Sequence, residues 1–192
     1  METPPQGNQS RSLLSTRNIT AITIGTALYA VLAVPSNLFA FPGLSVVAVK
    51  PAIAIPIVFG FLFGPLAGFF SGFLGNVISD QVSFGVLSWN WDLGSGLIGL
   101  ISAIGYYAVK RSSLVKATGL ATSSGLAVVA SVIGTGFSSL TDVVIQPSLN
   151  PAAVVVAEFV PAVVTDMVNG AILAPILVYA YVKSTSRRAR LL

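Results

Sequence analysis

The sequence predicts an all-α integral membrane protein: a bundle of six transmembrane helices with both termini in the cytoplasm. Three observations predict it. Hydrophobic residues make up 54% of the 192-residue chain, and the mean hydropathy is +0.87. Charged residues are only 8% of the total. The apolar residues fall in long runs that approach the length of a bilayer span, punctuated by Pro, Gly and charge.

The runs define the elements in order. The first covers 19–34 and stops at Pro35. A loop, "PSNLFAFPG", follows. The second and third cover about 45–63 and 65–83 and meet at Gly64-Pro65, where a helix stop adjoins a helix start. The fourth covers about 92–109, the fifth 116–141 and the sixth 151–182. Residues 1–17, rich in Pro, Gln and Ser, read as a disordered tail. Residues 18–183 form one transmembrane domain, and 184–192 a basic cytoplasmic tail. The first run also has a signal-peptide reading, with Arg11 and Arg17 before it and "LFA" (38–40) after it. The membrane character of the remaining chain favours a retained span.

Residues 51–79 admit a second reading as one kinked helix, which leaves five spans. Charge weighs between the two. With six spans, Arg11, Arg17, Lys110, Arg111, Lys116, Lys183, Arg187, Arg188 and Arg190 lie inside and only Lys50 outside. Five spans with an external N-terminus divide the same residues eight to two. The six-span topology also puts Asp80, Asp92, Asp142 and Glu158 on the external side. A polar ligand site then opens outward.

Composition excludes several chemistries. Without Cys or His there is no disulfide, thiol nucleophile, histidine base or ordinary zinc site. No metal site and no catalytic residue is expected. The chain has no Gly-Lys pair, hence no phosphate-binding P-loop, and so it cannot bind ATP in that way by itself. The net charge of +4 sits in loops on one side, a membrane pattern and not a nucleic-acid one.

Three segments carry polar stripes at helical spacing. Ser124, Ser131, Thr135, Ser138 and Asp142 share a face in the fifth. Glu158, Thr165 and Asn169 fall within about 40° of each other in the sixth, flanked by Asp166. Asn76, Asp80 and Ser83 cluster in the third. A carboxylate facing lipid costs roughly 2.5–3.5 kcal/mol or more, so these stripes should face inward. The serines have a plainer reading, as partners of backbone carbonyls.

Small residues make the other pattern. Gly60, Gly64, Gly68 and Gly72 recur every four positions, and Gly96, Gly99 and Ala103 continue on the fourth segment. Ala21, Gly25 and Ala30 lie on the first. Such faces let helices approach closely within the chain or offer a docking surface to another subunit.

Trp89 and Trp91 flank Asn90 and precede Asp92. Tryptophans collect at membrane interfaces whatever the function. In an extended loop, however, residues two apart point the same way, and two indoles beside Asn90 and Asp92 suit a flat heteroaromatic ligand.

"KPAIAIPIVFGFLFGPLAGFFSGFLGNVISD" (50–80) followed by "SWNWDLGSGLIGLISAIGYY" (88–107) resembles the substrate-binding S components of energy-coupling-factor (ECF) vitamin transporters, most closely the riboflavin-type group. The shared features are the Lys-Pro start, the F-G-x-x-F-G-P-x-x-G hairpin, the Gly75–Asp80 step and the Trp-x-Trp loop before a Gly-rich helix. "EFVPAVVTDMVNGAILAPIL" (158–177) is similar to the family's last helix. The resemblance implies six helices, an outward pocket capped by the first loop, and multi-pass residence in the cell membrane. It implies a transmembrane coupling subunit and two cytosolic ATPases as partners. It also implies that Ala21, Gly25 and Ala30 meet the coupling subunit. The transported ligand that the resemblance implies is a vitamin, riboflavin first and a thiamine or pyrimidine compound next. The expected pocket residues are Lys50, Asn76, Asp80, Trp89, Asn90, Trp91, Asp92, Glu158, Asp166 and Asn169. Asn76 and Asp92 depart from the family pattern, which usually has His and an apolar residue there. The alternative is a self-contained proton-coupled carrier relaying through Glu158 and Asp166.

Overall fold

The computed structural model describes residues 15–37, 49–146, 148 and 150–188. Among these the regular structure is entirely helical. Helix α1 spans Thr16–Asn37, α2 Ala54–Phe63, α3 Pro65–Phe84 and α4 Trp89–Ser102. Helix α5 spans Ile104–Ala108 and α6 Ala117–Ile145. Helix α7, Pro151–Val154, runs through a π-helical turn at Val155–Phe159 into α8, Val160–Arg188. Short 3-10 turns at Pro51–Ile53 and Arg111–Ser113 precede α2 and α6.

Helix α2 forms the axis of the bundle. Every residue from Ala54 to Leu62 is buried. Around it α1 packs on α3, α3 on α4, α4 on α6 and α6 on α8, and α1, α3, α4 and α8 all touch α2. The segment Pro51–Phe63 is only about 20 Å long at 1.5 Å per residue, too short to cross a bilayer by itself. Three helices are long and apolar enough to cross: Thr16–Asn37, Ala117–Ile145 and Pro151–Arg187.

The chain turns between α2 and α3 at Gly64, whose φ of 101° lies where side chains are strained. Its N–H closes α2 on the Gly60 carbonyl, and Pro65 opens α3. Two helices therefore replace the single kinked helix that 51–79 also allowed. Gly60 and Gly68 face each other across the turn, and the Gly99 carbonyl of α4 is seated against both. No side chain fits at this three-helix crossing, which is why the small residues recur there.

Four features differ from the sequence reading. The fourth segment is two helices, because the Ala103 N–H turns to the Leu100 carbonyl and breaks the α-helical ladder. It also begins earlier, at Trp89, with Ser88 as N-cap residue and Asp92 favourably placed in the first turn. Helix α8 continues to Arg188, so the basic tail starts helical. Helix α1 begins at Thr16, inside the span read as a disordered tail. The remainder of both tails, and the 38–43 part of the first loop, expected to cap the pocket, lie outside the described residues.

Burial is inverted relative to a water-soluble domain. The exterior carries Val31, Val82, Leu140, Val144, Val156 and Ile176, each more than half exposed. The interior holds Asn76, Ser79, Asp92, Ser102, Ser131 and Thr135, each 2% exposed or less. Apolar groups outside and polar groups inside suit lipid as the solvent. The two ends of the bundle differ in charge. Arg17, Arg111, Tyr181 and Thr185 share one end, and all five described carboxylates lie toward the other.

Candidate functional site

The carboxylate end brings together side chains from α1, α3, α4, α6 and α8. Lys50, half-buried just before α2, is the one cation among the described residues at this end. It lies close enough to Asp80, Asp92 and Asp166 to interact electrostatically with each. Asn76, Asp80, Asp92 and Asp166 are all buried, so the interior at this end is polar.

One chain of hydrogen bonds crosses that interior. The Tyr29 hydroxyl donates to Asn76 Oδ1 at 2.9 Å. Asn76 Nδ2 donates to Asp92 Oδ1 at 2.8 Å. The Tyr29 hydroxyl also lies 3.4 Å from Ser95 Oγ. Tyr29, Asn76 and Asp92 are all nearly inaccessible, at 0%, 0% and 1% exposure. Near the same end Asn37 Nδ2 donates to Ser79 Oγ at 2.9 Å and Ser83 Oγ at 3.1 Å, holding α1 to α3.

A second network ties α4 to α6. Asn90 Nδ2 donates to Asp142 Oδ1 at 2.9 Å and to the Ser138 carbonyl at 3.1 Å. Trp91 Nε1 donates to Asp142 Oδ2 at 2.7 Å. Ser138 Oγ returns a bond to the Asn90 carbonyl at 3.1 Å. Thr135 Oγ1 donates to Asp166 Oδ2 at 3.1 Å, joining α6 to α8.

The expected site residues divide accordingly. Lys50, Asn76, Asp80, Asp92 and Asp166 gather. Asn90 is buried in the α4–α6 network, with its amide N–H groups already engaged. Glu158 and Asn169 are half-buried, and Glu158 interacts electrostatically with Asp142. The π-helical turn contains Glu158, so the uniform 100° spacing that aligned it with Thr165 and Asn169 does not hold there.

The tryptophan pair requires a correction. Trp89 and Trp91 are helical, so their side chains diverge by about 200° and do not form one wall. Trp89 is 50% exposed. Trp91 turns inward to Asp142.

The small residues of α1 require another. Ala21 and Ala30 are buried, at 5% and 8% exposure. A Cβ on Gly25 would stand 2.6 Å from Ser71 Cβ and 2.9 Å from the Phe59 ring. Close packing on α2 and α3 occupies the face expected to dock a partner. The outward face of α1 is instead Ile24, Leu28 and Val31.

Sequence reasoning missed Tyr29, Asn37 and Ser95 as members of the site. Tyr29 had a signal, being the lone aromatic residue among small ones in the first segment. Asp142 was visible in its stripe but was not assigned to the pocket.

A family model described as ECF-type riboflavin transporter, S component, matches residues 13–183. A UPF0397 protein of Photobacterium profundum is 42% identical over 94 residues, 49% of this chain and 49% of that protein. The chain thus spans about half the length of this curated relative. With the family model covering nearly the whole helical bundle, the chain belongs to the family of ECF-type riboflavin transporter S components, which are transporter subunits and not enzymes.

Proposed function

We propose that this protein is the membrane-embedded substrate-binding subunit of an ECF-type importer. It captures a vitamin in a pocket at the carboxylate end of the bundle, and that end faces outward. Both termini and the basic end face the cytoplasm of the cell membrane, in keeping with the positive-inside rule. The bundle then counts six spans, with short α2, α3 and the α4–α5 pair completing it. A transmembrane coupling subunit and two ATPases supply the energy, and the protein itself carries no cofactor.

One observation carries the reading: Lys50 lies within electrostatic reach of the buried Asp80, Asp92 and Asp166, and Asn76 is hydrogen-bonded to Asp92, at one end of the bundle. Buried ionisable groups in a membrane protein mark a substrate path. Asp92 and Asp166 each have one oxygen engaged by a protein donor, which leaves acceptor capacity for ligand N–H or O–H groups. Riboflavin is the first ligand to test, because the matched family is of riboflavin type. A thiamine-like cation or aminopyrimidine is the second, favoured by three carboxylates around a single lysine.

The test is to purify the protein from rich medium, identify any bound small molecule by mass spectrometry, and titrate riboflavin and thiamine by calorimetry. A co-purifying flavin supports the first ligand. Tight thiamine binding with no flavin binding replaces it, and binding of neither overturns the vitamin assignment. Uptake into proteoliposomes lacking the ATPases would instead support the proton-coupled carrier using Glu158 and Asp166.

A further inference from the structure

The basic end of the bundle contains a cavity of about 350 Å³ between α1, α2, α5 and α8. That volume falls within the usual range for small-molecule sites, about 300–1,000 Å³. Arg17 and Arg111 both line it. Phe61 and Val182 supply apolar wall, and Tyr106 and Tyr181 stand beside them. Arg17 holds its guanidinium 5.8 Å from the centroid of the Phe63 ring.

We infer that this cavity binds the phosphate headgroup of an anionic phospholipid. Among the described residues the two arginines have no carboxylate near them, since the five described acidic residues lie toward the opposite end of the bundle. Guanidinium groups pair with phosphate oxygens through two parallel N–H donors, and basic pockets between membrane helices take acidic lipid headgroups. The tyrosines set the depth. Tyr106 and Tyr181 are 38% and 43% exposed, as expected for rings at headgroup level. The apolar wall below them continues toward the core through Phe61, which suits the glycerol and upper acyl carbons of a lipid better than a free anion. This end lies away from the carboxylate cluster, and its occupant does not depend on which vitamin is transported.

Native mass spectrometry of the purified full chain tests it, with phosphatidylglycerol or phosphatidylcholine added in mild detergent. The expected result is retention of phosphatidylglycerol, at least tenfold weaker in R17Q/R111Q and unchanged in K116Q, whose lysine is exposed at the same end but does not line the cavity. Circular dichroism checks the fold, and the single variants R17Q and R111Q, each weakened, decide the matter if the double variant does not fold. Equal retention of phosphatidylcholine, or retention unaffected by the arginine substitutions, overturns the inference. Displacement of the lipid by millimolar inorganic phosphate, with equal binding of phosphate alone, overturns the lipid as occupant.

Discussion

The Tyr29 hydroxyl donates a 2.9 Å hydrogen bond to Asn76 Oδ1 in the interior of the bundle, where neither side chain reaches solvent. The bond joins α1 to α3, and Asn76 passes the connection to Asp92 on α4. Removing the donor strands a buried acceptor, which costs about 1–3 kcal/mol. Tyr29→Phe should therefore lower the thermal midpoint in detergent by several degrees without changing the fold. The double variant Tyr29→Phe/Asn76→Leu should lose less in total than the sum of the two single losses. Strict additivity in that double-mutant cycle would mean the pair is not coupled.

The tryptophans should behave differently despite standing two residues apart. Trp91→Phe removes the indole donor to Asp142 Oδ2, a bond to a charged acceptor worth about 1.5–3 kcal/mol. Trp89→Phe alters a half-exposed ring and should stay within about 0.5 kcal/mol of the parent. Chemical unfolding of the two variants, compared side by side, measures this. Equal loss from both would contradict their opposite placement.

Glycine substitutions should separate crossing points from exposed positions. A Cβ on Gly68 would collide with the Gly99 carbonyl and stand 2.6 Å from Gly60 Cα. All of these contacts are rigid backbone. Gly68→Ala should cost about 3 kcal/mol or more, or abolish folded protein, as overpacking does at its upper end. A Cβ on Gly125 would meet nothing within 4 Å, so Gly125→Ala should be neutral or stabilise α6 by up to about 1 kcal/mol. Yields of monodisperse protein in size-exclusion chromatography report both.

Asp92 distinguishes the candidate ligands. Asp92→Asn keeps the shape of the side chain and removes its charge. A cationic ligand held by this carboxylate should bind at least tenfold more weakly, about 1.4 kcal/mol. A neutral flavin held by hydrogen bonds should lose threefold or less. Calorimetric titration of each ligand into parent and variant gives the two ratios. A tenfold loss for riboflavin with none for thiamine would reverse the assigned role of Asp92.

The helical class, the segment order and the Gly64 turn were legible because each depends on local composition. Apolar runs mark membrane helices, and Gly-Pro marks where one stops and the next starts. The inward stripes of α3 and α6 were legible for the same reason, since helical spacing aligns Asn76 with Asp80 and Thr135 with Asp142. The fates of Trp91 and Gly25 were not. Trp91 turns inward because α4 starts three residues earlier than its apolar run, with Ser88 as N-cap residue. Gly25 is covered because α1 presses its small face onto α2 and α3, and a small-residue stripe reads the same whether it meets its own chain or another. Glu158 was displaced by a π-helical turn, which no uniform wheel contains.

By itself, the sequence determined that this chain is a helical membrane protein with basic residues collected at one end, because transfer free energy and charge act residue by residue. Its motifs also carried the resemblance to the S components. Only the tertiary structure decided that Lys50 comes within electrostatic reach of Asp80, Asp92 and Asp166, that Tyr29 closes the chain through Asn76, and that Arg17 and Arg111 line one cavity. Those pairings join residues from distant parts of the chain. They exist because α2 is short and central, so that the helices packed around it converge above its first turn and below its last.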